Sequence, residues 1–390
     1  MRTIQDFFGA LRLPLTQRGT ASAFAAGLAF VALASSGCSG ESSGAGAAGG
    51  ASGGVAGMSA TNSGGVAGTP EDASGGARNE ATTFRSKVVH EAGQYLVFGT
   101  QEHTTRPSEG FILSSTDASH WKLVHRGEGE YFTSVTRSDT AWYALGDVFD
   151  QSSRTSQPLF LRSEDGERWT VVTPPNSWSF QSVFWTGELL LATGSEGDRT
   201  LFLQSEDGQA WTERSDSPVY DLTRLRGTRL VVGTDGNQLF RSADGGRTFE
   251  KRALRTSVEP LANVAGVWST ASGFEGTTSF DCCFGELPGN IRYYELRSSD
   301  GDEWSVEATT RAAPIQAVER DGVSVGIDTN FVLVSRAAAS EEWSYRDVGA
   351  VSSVTVGERF VAVSSGDRVG IRFSDDGISW MPAESVEEPE

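Results

Sequence analysis

The chain has 390 residues and carries 51 Asp and Glu against 32 Lys and Arg, a formal net charge of −19. That acid excess excludes general binding to nucleic acid or anionic membranes, both of which need a basic footprint. The length could hold two or three domains, but one repeat occupies nearly everything after residue 83.

Residues 1–38 read as an export signal. Arg2, Arg12 and Arg18 precede an apolar run over 21–34 that is too short to span a membrane comfortably. The following Ser35-Ser36-Gly37-Cys38 resembles the lipobox of bacterial lipoproteins, although that pattern favours Leu at the place of Ser35. The resemblance implies a diacylated Cys38 and a lipid anchor in the outer membrane. Ala32-Leu33-Ala34 also fits an ordinary signal-peptidase site, and the alternative is a soluble secreted protein. Acylation of Cys38 leaves Cys282 and Cys283 as an even pair, whereas a free Cys38 strands an odd thiol in an oxidising compartment. Residues 39–83 read as a tether. Gly, Ala and Ser fill 29 of the 40 positions 39–78, too little apolar surface to offset chain entropy, so a disordered spacer is expected. A 40-residue Gly-rich chain reaches roughly 35 Å.

Between Ser115 and Trp380 one phrase recurs, a strand ending in Ser-x-Asp-Gly-x-x-Trp. Clear copies are Ser163-Glu-Asp165-Gly-Glu-Arg-Trp169, Ser205-Glu-Asp207-Gly-Gln-Ala-Trp211, Ser298-Ser-Asp300-Gly-Asp-Glu-Trp304 and Ser374-Asp-Asp376-Gly-Ile-Ser-Trp380. The copy with Asp244 is one residue longer and ends in Phe249; the copy with Asp117 and Trp121 lacks the Gly; the stretch before Trp343 keeps little beyond the aromatic. Successive closing aromatics lie 37 to 55 residues apart, a spacing that assigns one supersecondary unit to each repeat. In the phrase, Ser and Asp can accept hydrogen bonds from amides two or three residues on, and Gly supplies positive φ for a tight turn. The ring of the closing aromatic packs under the turn. One unit dissects into strands over 132–136, 141–148, 159–163 and 169–172, with polar–apolar alternation. Seven four-stranded antiparallel units predict an all-β fold, a seven-bladed β-propeller over 84–385, with 386–390 as an acidic tail.

The boxes resemble the Asp-box (bacterial neuraminidase) repeat of sialidases, sortilin-type receptors, xyloglucan-cleaving glycoside hydrolases and photosystem II assembly factors, over roughly 84–385. The resemblance implies that each box joins the third and fourth strands on the face away from the ligand site, and so is structural. Sialidase chemistry is disfavoured. The Arg-Ile-Pro signature of that family is absent, the blade number is seven rather than six, and Tyr294 and Glu295 are neighbours on a strand, pointing to opposite faces. A carboxylate-pair glycosidase, whose acids lie about 5 to 9.5 Å apart, is the alternative enzyme reading; so many acids make any one pairing uninformative. No nucleophile motif or metal spacing is present, and His90, His103, His120 and His125 all fall in the first blade.

The preferred reading is a non-catalytic binding or scaffold module for a protein or glycan partner, monomeric, with no cofactor and no metal. Its loop face is built from the longer connections, Thr100–Gly110, Asp147–Gln157 and Thr270–Asn290. Candidate ligand-face residues are His103, Asp147, Asp150, Phe280, Asp281, Cys282, Cys283, Phe284 and Glu286. A disulfide between Cys282 and Cys283 would be strained, since neighbouring Cα atoms lie about 3.8 Å apart, below the usual range of about 4.4–6.8 Å. Flanked by Phe280 and Phe284, it would form a stiff apolar platform; the alternative is a pair that only stiffens the loop. Arg224, Arg226, Arg229, Arg241, Arg247, Lys251, Arg252 and Arg255 concentrate in one repeat, as a blade edge balanced by its neighbours or as a basic patch.

Overall fold

The computed structural model describes residues 82–387 apart from 174–177, 217–218, 237, 253, 255–263, 281–291, 310–313, 338–339 and 341. Blade 1 is β1 (Thr82–Glu91), β2 (Gln94–His103), β3 (Glu109–Ser115) and β4 (His120–Glu128). Blade 2 is β5 (Glu130–Arg137), β6 (Trp142–Asp150), β7 (Thr155–Ser163) and β8 (Thr170–Val171). Blade 3 is β9 (Ser179–Trp185), β10 (Leu190–Glu196), β11 (Arg199–Ser205) and β12 (Thr212–Glu213). Blade 4 is β13 (Tyr220–Arg224), β14 (Val231–Thr234), β15 (Leu239–Ser242) and β16 (Glu250–Arg252). Blade 5 is β17 (Val264–Thr270), β18 (Gly273–Phe280), β19 (Arg292–Ser298) and β20 (Ser305–Thr309). Blade 6 is β21 (Gln316–Arg320), β22 (Val323–Ile327), β23 (Val332–Arg336) and β24 (Ser344–Ala350). Blade 7 is β25 (Ser353–Val356), β26 (Phe360–Ser364), β27 (Gly370–Ser374) and β28 (Met381–Pro382). The seven sheets are antiparallel meanders, and the molecule is a seven-bladed propeller.

Second strands read as near-continuous apolar runs, such as Tyr95–Phe98 and Trp142–Leu145, because both of their faces are covered by neighbouring blades. The core is therefore distributed over the seams. Seven apolar clusters each join two adjacent blades: the largest, with Phe84, Tyr95, Trp121 and Phe373, joins blades 1 and 7, and the smallest, Trp268, Ala317, Val334 and Trp343, joins blades 5 and 6.

Among the described residues the four strands of each blade are contiguous in sequence, and the sheet of blade 1 gains a fifth strand from the C-terminal end. Closure uses main-chain bonds between Phe84 and Gly366 (2.5 and 3.0 Å), with Ser352 Oγ donating to the Ser86 carbonyl at 2.7 Å. A last strand, β29 (Ser385–Val386), lies parallel to β4 at the outer edge of blade 1. The boundary between expected propeller and expected tail is thus a strap on the first blade.

The Ser-x-Asp-Gly turns are built as their chemistry requires. Ser205 Oγ accepts the Gly208 N–H at 2.9 Å, and Asp207 Oδ1 accepts those of Gln209 and Ala210 at 2.8 and 3.0 Å. Such amides hold the Asp carboxyls low: the N–H groups of Ser379 and Ile378 bring Asp376 to about 2. Trp121, Trp211 and Trp304 donate Nε1–H to the carbonyl at the Gly position, whereas the buried Nε1 atoms of Trp169 and Trp380 have no acceptor among the described residues. The turns also do something the sequence did not announce. Each seats on the preceding blade, so that a Cβ at Gly208 would collide with Tyr143, and one at Gly377 with Val323 and Val325. Tyr143 Oη donates to the Asp207 carbonyl at 2.7 Å, and Arg359 of blade 7 donates to that of Asp117 at 3.2 Å. The turn is a seam latch as well as a hairpin staple.

Two expected loops are shorter than the sequence suggests. β6 and β7 stay paired out to Asp150 and Thr155, and β2 and β3 reach His103 and Glu109. Polar residues are tolerated at the rim while the ladder continues, so composition hides the strand ends. β18 likewise runs into the long insert, with Phe280 paired to Arg292 along the backbone. Asp281, Cys282, Cys283, Phe284 and Glu286, the side chain of Phe280, Cys38 and Arg255 lie outside the described residues.

Candidate functional site

Second strands of successive blades end on one rim of the ring, and those of blades 1 and 2 carry His103 and Asp147 there. His103 ends β2 with its side chain fully buried; its Nε2 lies 3.9 Å from Glu109 Oε2. Among the described residues neither ring nitrogen has a hydrogen-bond partner, and nor does the Gln101 Oε1 two residues earlier, on a residue only 5% exposed. Buried polar atoms are almost always paired. Two such neighbours without partners mark a place where something else supplies them.

Around this gap the charges are tied down. Arg126 Nε donates to Glu109 Oε2 at 2.9 Å, and Arg106 Nη1 lies 3.7 Å from Glu109 Oε1. On the blade 2 side, His125 Nε2 and Glu130 Oε2 are 2.6 Å apart, with the imidazole edge-on to Phe132. The Glu130 carboxylate lies over Gly127, where any Cβ would collide with it.

Asp147 follows on β6, opposite Tyr131 of β5. Burial pushes its carboxyl up to about 6, against a long hydrogen bond, 3.4 Å, from Ser179 Oγ of blade 3. Asp150 behaves oppositely, held at about 2 by the hydroxyls of Ser152 and Ser153 and the Ser152 N–H. Three positions apart on one strand, Asp147 and Asp150 face opposite sides of the sheet and cannot serve as a carboxylate pair. His103 and Asp147 are thus brought to one rim, while Asp150 caps its own turn. The residues missed in the sequence are Gln101, Glu109 and Glu130; the available signal was polar groups placed at the ends of otherwise apolar strands.

The first strands surround a central channel. Lys87 of β1 donates to the Thr133 carbonyl at 3.1 Å, and it interacts electrostatically with Asp221 of β13, on the opposite side of the ring. Burial lowers the Lys87 pKa and raises that of Asp221, each partner partly opposing the shift. Both residues are nevertheless open to solvent, so they line a water-accessible space. At the turn-side mouth, burial raises the Glu91 carboxyl against the pull of Arg224, Arg226 and Arg137.

The arginine-rich repeat is largely balanced by neighbours. Arg229 and Arg247 both reach Glu188, Arg252 reaches Glu250 and Asp302, and Arg241 donates to the Asp300 carbonyl. Among the described residues no group of three or more His, Cys, Asp or Glu is placed to hold a metal ion.

No protein family model matches the chain, and no protein of curated function matches it. Among solved structures it is similar to YCF48 from Cyanidioschyzon merolae, at 14% identity and a TM-score of 0.45, over 69% of this chain and 90% of that one. It is also similar to the β-propeller domain of the Trilobed protease from Pyrococcus furiosus, at 12% identity and a TM-score of 0.49, over 79% and 99%. A third is the Pyrococcus horikoshii acylaminoacyl peptidase, at 11% identity and a TM-score of 0.49, over 78% of this chain and 52% of that one. Identities and scores at this level carry no information about ligand or activity.

Proposed function

We propose that this propeller is a non-catalytic binding module of the cell envelope, which recognises a protein or glycan partner through the loop rim of blades 1 to 3. The observation that carries the reading is the pair of buried, unpartnered groups, His103 and Gln101. An unsatisfied buried polar group costs about 1–3 kcal/mol, which a partner recovers by opening the rim around His103 and supplying the missing hydrogen bonds. Asp147, largely neutral below about pH 6, adds a hydrogen-bond donor to the same rim. The module is an Asp-box repeat protein in this reading. It is exported, monomeric and held to the outer membrane through Cys38 alone, with no nucleic-acid partner.

The raised Asp147 carboxyl is the one observation favouring a glycoside hydrolase, since a general acid needs such a pKa. Against it, the nearest acid on the same strand faces the other way.

The test is capture from envelope extracts and on glycan arrays with wild-type, H103A/Q101A and E188Q heads. The reading expects a partner held by wild type and E188Q and lost by the rim variant. It fails if the rim variant binds as wild type does. Turnover of any chromogenic glycoside that is abolished in D147N would replace it with the hydrolase reading.

A further inference from the structure

We propose that the central channel holds a second, separate binding site, between Lys87 and Asp221, for a small zwitterion of the free amino-acid type. One layer of the first strands builds it. Lys87, Thr133, Gln181 and Gln316 each stand four residues before the end of β1, β5, β9 and β21, so they fall at one level of the ring. Lys87, Gln181 and Gln316 are exposed. First strands lie at the centre of the molecule, so that exposure is to the channel.

Asp221 joins this layer through a distortion. It stands three residues before the end of β13, where the register of β13 on β14 slips between Tyr220 and Thr223. Its φ is 46°, and among the described residues no other inside a first strand has a positive φ. A bulge re-aims the side chain it carries, and a left-handed backbone is costly for any residue with a Cβ. That strain serves no contact within the protein. Among the described residues the Asp221 carboxylate makes no hydrogen bond and no direct ion pair; the charge that acts on it is Lys87, from across the channel. Lys87 is likewise only partly engaged. One of its three N–H groups goes to the Thr133 carbonyl at 3.1 Å, on the wall of blade 2, which leaves two for a ligand.

The arrangement selects the ligand class. Charges in the adjoining layers already have partners: Arg85 pairs with Glu102 at 2.8 Å, and Glu91 faces Arg224, Arg226 and Arg137. Lys87 and Asp221 remain, opposite in sign, partly stripped of water by the strands around them and not in contact with each other. A lone anion is drawn to Lys87 and repelled by Asp221, and a lone cation meets the reverse. A compact molecule with both signs satisfies both walls at once through charge-assisted hydrogen bonds, its carboxylate on Lys87 and its ammonium on Asp221. Gln181, on blade 3 between the Lys87 ammonium and Asp221, adds an amide donor and acceptor. Free α-amino acids have this charge pattern.

The experiment is saturation-transfer NMR on the full chain with a panel of free α-amino acids, followed by titration of those that bind. Each binder is compared with its N-acetyl derivative and its amide, which lack one of the two charges. Gly adopts the φ of Asp221 without strain, so D221G removes the carboxylate and leaves the backbone in place; K87Q removes the cation, and melting curves report that both variants keep the fold. The expected result is binding by wild type, weakened at least about tenfold in D221G, in K87Q and for both derivatives, and unchanged in H103A. The proposal is overturned if no free amino acid binds at millimolar concentration, if either derivative binds as well as its parent, if the channel variants bind normally, or if H103A is the variant that loses binding. None of these results bears on partner capture by the rim of blades 1 to 3, except the last, which would transfer the amino acid to that rim.

Discussion

Asp147 makes a prediction whose size and sign both follow from its surroundings. Its carboxyl moves from an ordinary 3.8 to about 6 because burial penalises the anion more than the long Ser179 hydrogen bond favours it. At about 1.4 kcal/mol per tenfold change in proton affinity, the rise corresponds to about 3 kcal/mol. The folded state binds this proton more tightly than the unfolded chain does. Its contribution to stability is therefore fully present below about pH 4 and is lost as pH rises through about 6. Asn has the same shape, keeps an acceptor for Ser179 and never ionises. D147N should match wild type near pH 4 and exceed it by up to about 3 kcal/mol near pH 8. Urea unfolding followed by tryptophan fluorescence at several pH values measures the difference directly. Titrations elsewhere cancel between the two proteins. A variant no more stable than wild type at about pH 8, or a gain that does not change with pH, would refute the argument. If the rim binds a partner, the same substitution should cost affinity, the usual exchange between stability and function.

Two further predictions test the seams and the strap. G208A should destabilise by about 2–4 kcal/mol in denaturant titrations, because the residue has φ of 72° and its new methyl meets the buried Tyr143 ring. In blade 1 the same position is already Ala118, at φ 65°. A118G should therefore gain no more than about 1 kcal/mol, relief of strain being offset by added freedom in the unfolded chain. His120 joins the strap to blade 1, its Nδ1 lying 2.8 Å from Asp117 and its Nε2 3.3 Å from Glu384, with Ser119 Oγ beside Nδ1. The Asp117 hydrogen bond, with Asp117 and Glu384 charge in support, raises its pKa above 6.5. That contribution is present below the ordinary value and is lost as pH rises through the folded one. Amide exchange at Glu384 and Glu387, corrected for intrinsic rates, should accelerate across that window in wild type and lose this pH dependence in H120Q.

Blade number and strand order were legible because they are written in local chemistry. Each Ser-x-Asp-Gly phrase makes its own turn, and each turn sits between a third and a fourth strand. The lengths of the rim loops were not legible, since Thr155 to Gln157 are polar enough to pass for a loop yet remain paired with Val148 to Asp150. The candidate site was half legible. His103 and Asp147 could be named from loop position. The burial of His103 without a partner depends on Glu109 being taken by Arg126, a pairing across β3 and β4. The raised Asp147 carboxyl depends on its burial in the assembled ring, against the opposing hydrogen bond of a serine 32 residues away in the next blade.

The most direct measurement is covalent footprinting of the head, with a carboxyl-reactive label, alone and with the partner it captures. The account predicts protection concentrated at Glu109, Glu130 and Asp147, with Asp165, Asp207, Asp300 and Asp376 in the turns labelled as before. Protection confined to those turn aspartates, with the rim of blades 1 to 3 unchanged, would contradict it.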